Sequence, residues 1–331
     1  MEHKIRITNF FVSAAVTDEK YEELRKNLDF ALEMWRKSGE LALKKDRVYL
    51  GYGLGFFFLF GNNDFEKHEL FMEQVIEEAR RFKDYDALSR LLVDFASTVG
   101  GRENETKSLR LYQEAQSMLA DDRLDIRPLN RHRGKLCVAL AMHALGTPGL
   151  EPVIDESMDY FLKKGPRYGR AIYAFNTAMA MKDSDTQKAL FYFDLSLREA
   201  REIGHKGTIA YALSEKAHIA NKLGNYREAE IMASEAVDLT ESGIKFWHGW
   251  SLYTLAYAQR KLKQPEKALS GIKKALPLMP DDLAMTTYLV ELRASIEEEQ
   301  GRYRQALESR KELEKMKIRK VAENEKEHFA K

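Results

Sequence analysis

The stretch 208–280 constrains this chain more than any other, because it states nearly the same pattern twice. One copy reads AYALSEKAHIANKLGNYREAEIMASEAVDLTES and the next GWSLYTLAYAQRKLKQPEKALSGIKKALPLMPDD. In each, an amphipathic segment closes on a Lys-Leu pair (Lys222-Leu223, Lys261-Leu262), a short turn follows, and a second amphipathic segment carries alanines at helical spacing. Small side chains are needed where two antiparallel helices approach closely, and Gly224 supplies the left-handed backbone that ends the first helix. Tyr226 is expected to pack under the turn, and Pro280 to stop the second helix, since it lacks an amide proton and clashes with the preceding turn. Such a helical hairpin cannot bury its apolar face alone, so tandem copies predict a stack in which each unit packs on its neighbours.

The first copy, through Ala217, the Leu-Gly-Asn-Tyr turn 223–226 and Ala229, Ala233 and Ala236, resembles the tetratricopeptide (TPR) repeat. The second matches through Ala256, Ala268, Ile272, Ala275 and Pro280. Counting from the alanine that opens the second helix of each copy, a period of about forty runs along the whole chain, with anchors at Leu28, His68, Ser108, Gly149, Ala189, Ala229, Ala268 and Ala306. The TPR period is about thirty-four. The longer period resembles the long-helix TPR relatives of bacterial signalling, such as peptide-pheromone receptors and the sensory regions that precede diguanylate cyclase domains. The clear resemblance covers 170–313, and the first half is placed by spacing.

In that half, the helix through Leu24, Leu28, Leu32 and Trp35 is read as starting from Thr17 as N-cap. Phe65, Leu70 or Phe71, Val75 and Ala79 form one face after the turn Gly61-Asn62-Asn63, and Gly100-Gly101-Arg102 is a loop. Pro148 and Pro152 interrupt the fourth unit, Pro152 being placed to start its second helix. The thirteen-residue apolar run 48–60 falls short of the roughly twenty residues that span a bilayer. Its Gly51, Gly53 and Gly55 lack the third glycine of a dinucleotide fingerprint and are read as points of close helix approach, at roughly 1 kcal/mol of helix propensity each.

Composition narrows function by exclusion. With 44% hydrophobic residues in a chain of 331, a large core is possible, and a formal net charge of +1 gives no basic field for nucleic acid. The single cysteine, Cys137, allows no intrachain disulfide and sits in an apolar run, which points to a small buried side chain and a reducing compartment. No apolar segment near the N-terminus is long enough for a signal peptide, so a cytoplasmic location is expected. Eight histidines stand singly, without HExxH or paired cysteines, and no GxSxG elbow or Walker loop occurs. No metal, no cofactor and no catalytic activity are expected. The rival class, a helical-toroid enzyme, should show acidic and aromatic residues converging at helix ends, and this sequence does not.

The TPR resemblance implies an all-α, right-handed α-solenoid of about eight TPR-like hairpins over 1–301, with residues 302–331 continuing the last repeat into a charged, extended helix. Free of Gly and Pro beyond Tyr303, that helix is read either as a solvated cap or as a connector to an output domain, and as a possible dimer contact. The resemblance also implies that first helices line a concave groove through their positions 2, 5, 9 and 12. These are Tyr211, Ser214, His218 and Asn221, then Trp250, Tyr253, Tyr257 and Arg260, then Tyr288, Glu291, Ser295 and Glu298. Trp, Tyr and Arg dominate binding energies at interfaces, so the middle set suits a peptide or partner helix, with Arg260 taking a carboxylate. The competing reading has the same rings filling the space between consecutive first helices. Arg131 and Arg133, beside His132, add a basic spot that faces the same groove or is merely an exposed helix start. The expectation is a non-catalytic protein- or peptide-binding module, controlling an attached or partner output domain such as a diguanylate cyclase, or else a free peptide-pheromone receptor or adaptor.

Overall fold

The computed structural model describes the chain except residues 18–19, 42, 63, 101–104, 242–244, 280–281 and 330–331, together with the side chains of 17, 40 and 319–329. Among the described residues every regular element is helical. The first hairpin is α1 (Glu2–Thr17) against α3 (Leu28–Glu40), with a single extra turn, α2 (Tyr21–Lys26), between them. Then follow α4 (Lys44–Phe56) with α5 (Phe65–Phe82), α6 (Tyr85–Gly100) with α7 (Glu105–Ala120), and α8 (Pro128–Ala144) with α9 (Glu151–Lys164). The later pairs are α10 (Arg167–Met181) with α11 (Thr186–Ile203), α12 (Lys206–Lys222) with α13 (Tyr226–Thr240), α14 (Lys245–Lys261) with α15 (Pro265–Ala275), and α16 (Leu283–Glu299) with α17 (Tyr303–Phe329). These are the eight hairpins expected, ending in one extended helix. They divide into two compact units, 1–170 and 171–331.

In the first unit, α4 is the axis of packing. Its Gly51, Gly53 and Gly55 are buried, and a Cβ added to them would lie 2.6 Å from Trp35 Nε1, 2.7 Å from Val12 Cγ1 and 3.3 Å from Met72 Sδ. The glycines therefore let α1, α3 and α5 close on one helix, as read from sequence. The helix relaxes into a π-helical turn, Phe57–Gly61, which buries Phe57 and Phe58. Polar anchors replace alanine here: His68 is fully buried and hydrogen-bonds the Gly55 carbonyl at 2.9 Å, and Ser108 donates to the Ala96 carbonyl at 2.7 Å. In both, a side-chain hydrogen bond fastens the second helix to the first in addition to close approach at a glycine, Gly55 against Met72 and Gly100 against Ser108.

In the second unit the anchors are the expected alanines. Ala189, Ala217, Ala229, Ala233, Ala236, Ala256 and Ala268 are fully buried. Gly224 ends α12 at φ +83°, and Lys263, without glycine's freedom, does the same after α14 at φ +61°. Asp185 caps α11 by accepting from the Lys188 amide at 2.9 Å.

Four local expectations need correction. Thr17 lies at the C-terminal end of α1 rather than capping a new helix, and the helix expected to follow it is broken at Asn27, where φ and ψ are −114° and 12°. Leu28 is only partly buried. Gly149 is an exposed loop residue at φ +77°, because the Gly146–Gly149 loop delays the second helix to Glu151. Pro152 sits in the first turn of that helix as expected, and Ile154 and Ser157 take the buried positions. Finally, α15 gives way at Ala275 to a 3-10 turn, Leu276–Leu278, that contains Pro277. Pro280, Asn63 and the loop residues Gly101 and Arg102 lie outside the described residues.

Candidate functional site

The expected groove residues of 208–299 all fall within the second unit, on α12, α14 and α16, the first helices of three successive hairpins. Their rings meet across those helices. The His218 ring lies 5.0 Å from Trp250, Trp250 stacks on Tyr253 at 5.5 Å and 26°, and Tyr253 reaches Tyr288 at 6.1 Å. A second row, one to two turns earlier, joins Phe175 on α10 to Tyr211 at 6.3 Å, and Tyr211 stacks on Trp247 at 4.5 Å and 21°. Aromatic pairs of this kind contribute about 0.5–1.5 kcal/mol each beyond their burial. The rings therefore do bridge consecutive first helices. The rows are not closed over, however: Tyr288 remains 51% exposed, and Tyr211, His218, Trp250, Tyr253 and Tyr257 are half-buried.

Beneath the rings lies a polar ladder. Ser214 is fully buried and hydrogen-bonds Ser251 at 2.6 Å, and Asn221 donates through Nδ2 to the Thr254 carbonyl at 2.9 Å. Lys182 pairs with the buried Glu215 at 2.9 Å. Three atoms on this layer, Asn221 Oδ1, Thr254 Oγ1 and Trp250 Nε1, are buried without a hydrogen-bond partner. Burial drives the His218 imidazole down to about 4, and Lys222 and Lys182 push the same way, so the ring is neutral near pH 7. Burial likewise raises the Tyr253 hydroxyl to about 12, keeping it protonated. The face is thus aromatic, uncharged at its centre and edged by internally paired ions.

Several expected roles are met differently. Arg260 does hold a carboxylate, but that of Glu299 on α16, at 2.8 Å, so it ties α14 to α16. Glu298 pairs with Arg310 of α17 at 2.9 Å, and Ser295 donates to the Glu291 carbonyl one turn back at 2.9 Å. Arg131 is the clearest departure, since its guanidinium turns into the α7–α8 loop and donates to the carbonyls of Leu119 at 2.6 Å, Asp121 at 3.2 Å and Leu124 at 3.0 Å. It thereby takes up the Leu119 carbonyl in the last turn of α7 and adds to the backbone hydrogen bonds that the Asp121 and Leu124 carbonyls already accept from Leu124 and Ile126. His132 stacks on Tyr160 at 4.1 Å, and Arg133 donates to Asp94 on α6. The Cys137 thiol, only partly buried beside the first unit's core, is pushed up to about 11 by desolvation. Sequence spacing missed Phe175 and Trp247. Trp247 lies three residues before Trp250, on the same helical face, and that i, i+3 relation was its available signal.

Among the described residues no group of His, Cys, Asp or Glu is arranged to hold a metal ion, and no helix is long and apolar enough to cross a membrane. No protein-family model matches the sequence, and no curated protein matches it. Solved structures do match. A Rap protein complexed with competence and sporulation factor aligns over 98% of this chain and 99% of its own, with a TM-score of 0.59 at 14% identity. The apo form of the quorum sensor NprR from B. thuringiensis aligns over 95% of this chain and 99% of its own, with a TM-score of 0.55 at 11% identity. At these identities the likeness establishes the fold: a TPR-like array of helical hairpins, as the tandem alanine pattern implied.

Proposed function

We propose that the chain is a non-catalytic, peptide-binding regulatory module whose ligand lies across the first helices of the second unit. The observation that carries this reading is the row His218–Trp250–Tyr253–Tyr288, which crosses the first helices of three successive hairpins and stays open at Tyr288. Rings spaced along parallel helices suit the apolar side chains of an extended peptide, and rigid aromatics lose little entropy on binding. The fold supports the same reading, because the solved structures that share it include a Rap protein complexed with competence and sporulation factor and the quorum sensor NprR. Of the two regulatory settings expected from sequence, the quorum sensor among these structures favours a signal receptor over a cyclase-linked sensory region.

The test uses the chain's three tryptophans, two of which, Trp247 and Trp250, lie in the proposed face. Peptides selected from a random heptapeptide library on the immobilised protein are titrated into a Trp35→Phe variant while tryptophan fluorescence is followed. A saturable change, weakened by roughly 1–3 kcal/mol in Tyr288→Ala with an unaltered melting temperature, supports the reading. Selected peptides that bind without perturbing either tryptophan place the site elsewhere.

A further inference from the structure

The first unit carries a different kind of site on its own first helices. On α6, Arg90 and Asp94 face Tyr52 of α4 and Arg133 of α8. Both oxygens of the single carboxylate are already taken: Tyr52 donates its hydroxyl to Oδ2 at 2.6 Å, and Arg133 donates to Oδ1. Arg90 Nε is buried, stands 3.7 Å from Oδ2, too far for a hydrogen bond, and has no hydrogen-bond partner. Yet the guanidinium is not loose, because it lies over the Tyr52 ring at 4.7 Å from the centroid, while 41% of the side chain remains exposed. Elsewhere the fold gives such arginines a carboxylate of their own: Arg47 has Glu78 at 2.6 Å, Arg80 has Glu114 at 2.7 Å, and Arg127, on the neighbouring turn of this same face, has Asp86 at 2.6 Å.

We infer that Arg90 is the anchor of a carboxylate-binding site on the α4–α6–α8 face, taking the terminal or side-chain carboxylate of a ligand. A guanidinium held flat on a ring, with Nε buried and the rest of its head partly exposed, offers its outward N–H donors to a planar carboxylate at low entropic cost. A monoanion matches the site's charge, because Asp94 is paired with Arg133 and Asp86 with Arg127, which leaves the single positive charge of Arg90 to be neutralised. This site does not depend on the peptide reading of the second unit, and the probes below carry no apolar side chain that the aromatic face would recognise.

The experiment follows the Arg90 Nε–Hε resonance in full-length protein labelled with 15N-arginine, assigned through Arg90→Lys. Sodium acetate, N-acetyl-glycylglycine, its C-terminal amide, N-acetyl-aspartate diamide and inorganic phosphate are titrated in turn at constant ionic strength. The inference expects saturable shifts of Arg90, and not of Arg127, with acetate and both carboxylate probes, and none with the amide of glycylglycine. Tighter binding of N-acetyl-glycylglycine marks a chain terminus as the natural source, and tighter binding of the aspartate probe marks an acidic side chain. By calorimetry the better probe weakens about tenfold or more in Arg90→Gln, as loss of hydrogen bonds to a charged group implies. Arg127→Gln makes the same charge change on the same face and leaves affinity unaltered. Absence of a saturable Arg90 shift, an equal shift at Arg127, or saturation by phosphate at lower concentration than acetate overturns the inference. The resonance measurements are made in the unaltered protein, so they decide the matter even if Arg90→Gln folds poorly.

Discussion

At the scale of single residues, the same side-chain type takes opposite roles according to what the chain path brings within reach of its guanidinium. Arg131 lies beside three carbonyls gathered by the turn and becomes a clamp on the loop after α7. Arg131→Met should therefore lower stability by about 1.5–3 kcal/mol, the usual worth of hydrogen bonds to a charged group, and leave peptide affinity unchanged. Chemical denaturation and titration of the selected peptide check the two halves. Its role was not legible in the sequence, since the carbonyls it meets are brought together by the path of the loop. The alanines were legible, because side-chain size alone sets how closely two helices approach. His218 makes a titration prediction. Its folded value, about 4, lies below the ordinary 6.5, so the fold favours the neutral ring. That contribution is fully present above about pH 6.5, where both states are neutral, and is lost as pH falls through the window down to about 4. Between pH 7 and pH 5, roughly the upper part of that window, the melting temperature of His218→Gln should fall less steeply than that of the unaltered protein. Parallel slopes would show that the ring is not held neutral.

At the scale of elements, glycines inside helices divide into two kinds that the sequence does not distinguish. Gly51 of α4 faces Trp35, whose indole nitrogen donates to the Arg47 carbonyl at 3.1 Å, and an added Cβ would meet it at 2.6 Å. Gly271 of α15 has its nearest neighbours, Ala256 Cβ and the Leu252 carbonyl, at 3.7 Å from an added Cβ. Gly51→Ala should destabilise by about 1–3 kcal/mol through overpacking, although alanine is the better helix former. Gly271→Ala should stabilise by about 0.5–1 kcal/mol, because only the propensity term changes. Thermal or urea unfolding reads both, and equal signs would refute the packing described for α4. Helix spacing was legible wherever the second helix opens on time: α5, α7, α11, α13, α15 and α17 begin at 65, 105, 186, 226, 265 and 303. It failed at α9, where loop residues at positive φ shifted the phase, and at Asn27, where nothing in the apolar spacing marks the break.

At the scale of the whole chain, the two units use their first helices differently. The first unit places charged side chains there, organised around Asp86 and Asp94, and the second places rings on α12, α14 and α16. That division was half-visible in the sequence. The aromatic row stood out because Trp250, Tyr253 and Tyr257 share one helix face, whereas the ionic network joins residues roughly forty apart, each an unremarkable surface charge on its own helix. The claim that the aromatic row is a peptide site is tested most directly by photo-crosslinking, with a selected heptapeptide carrying p-benzoylphenylalanine and adducts mapped by mass spectrometry. The account predicts adducts concentrated on α12, α14 and α16 around His218, Tyr253 and Tyr288, and their loss in Tyr288→Ala. Adducts confined to residues 1–170, or no peptide retained above background, would contradict it.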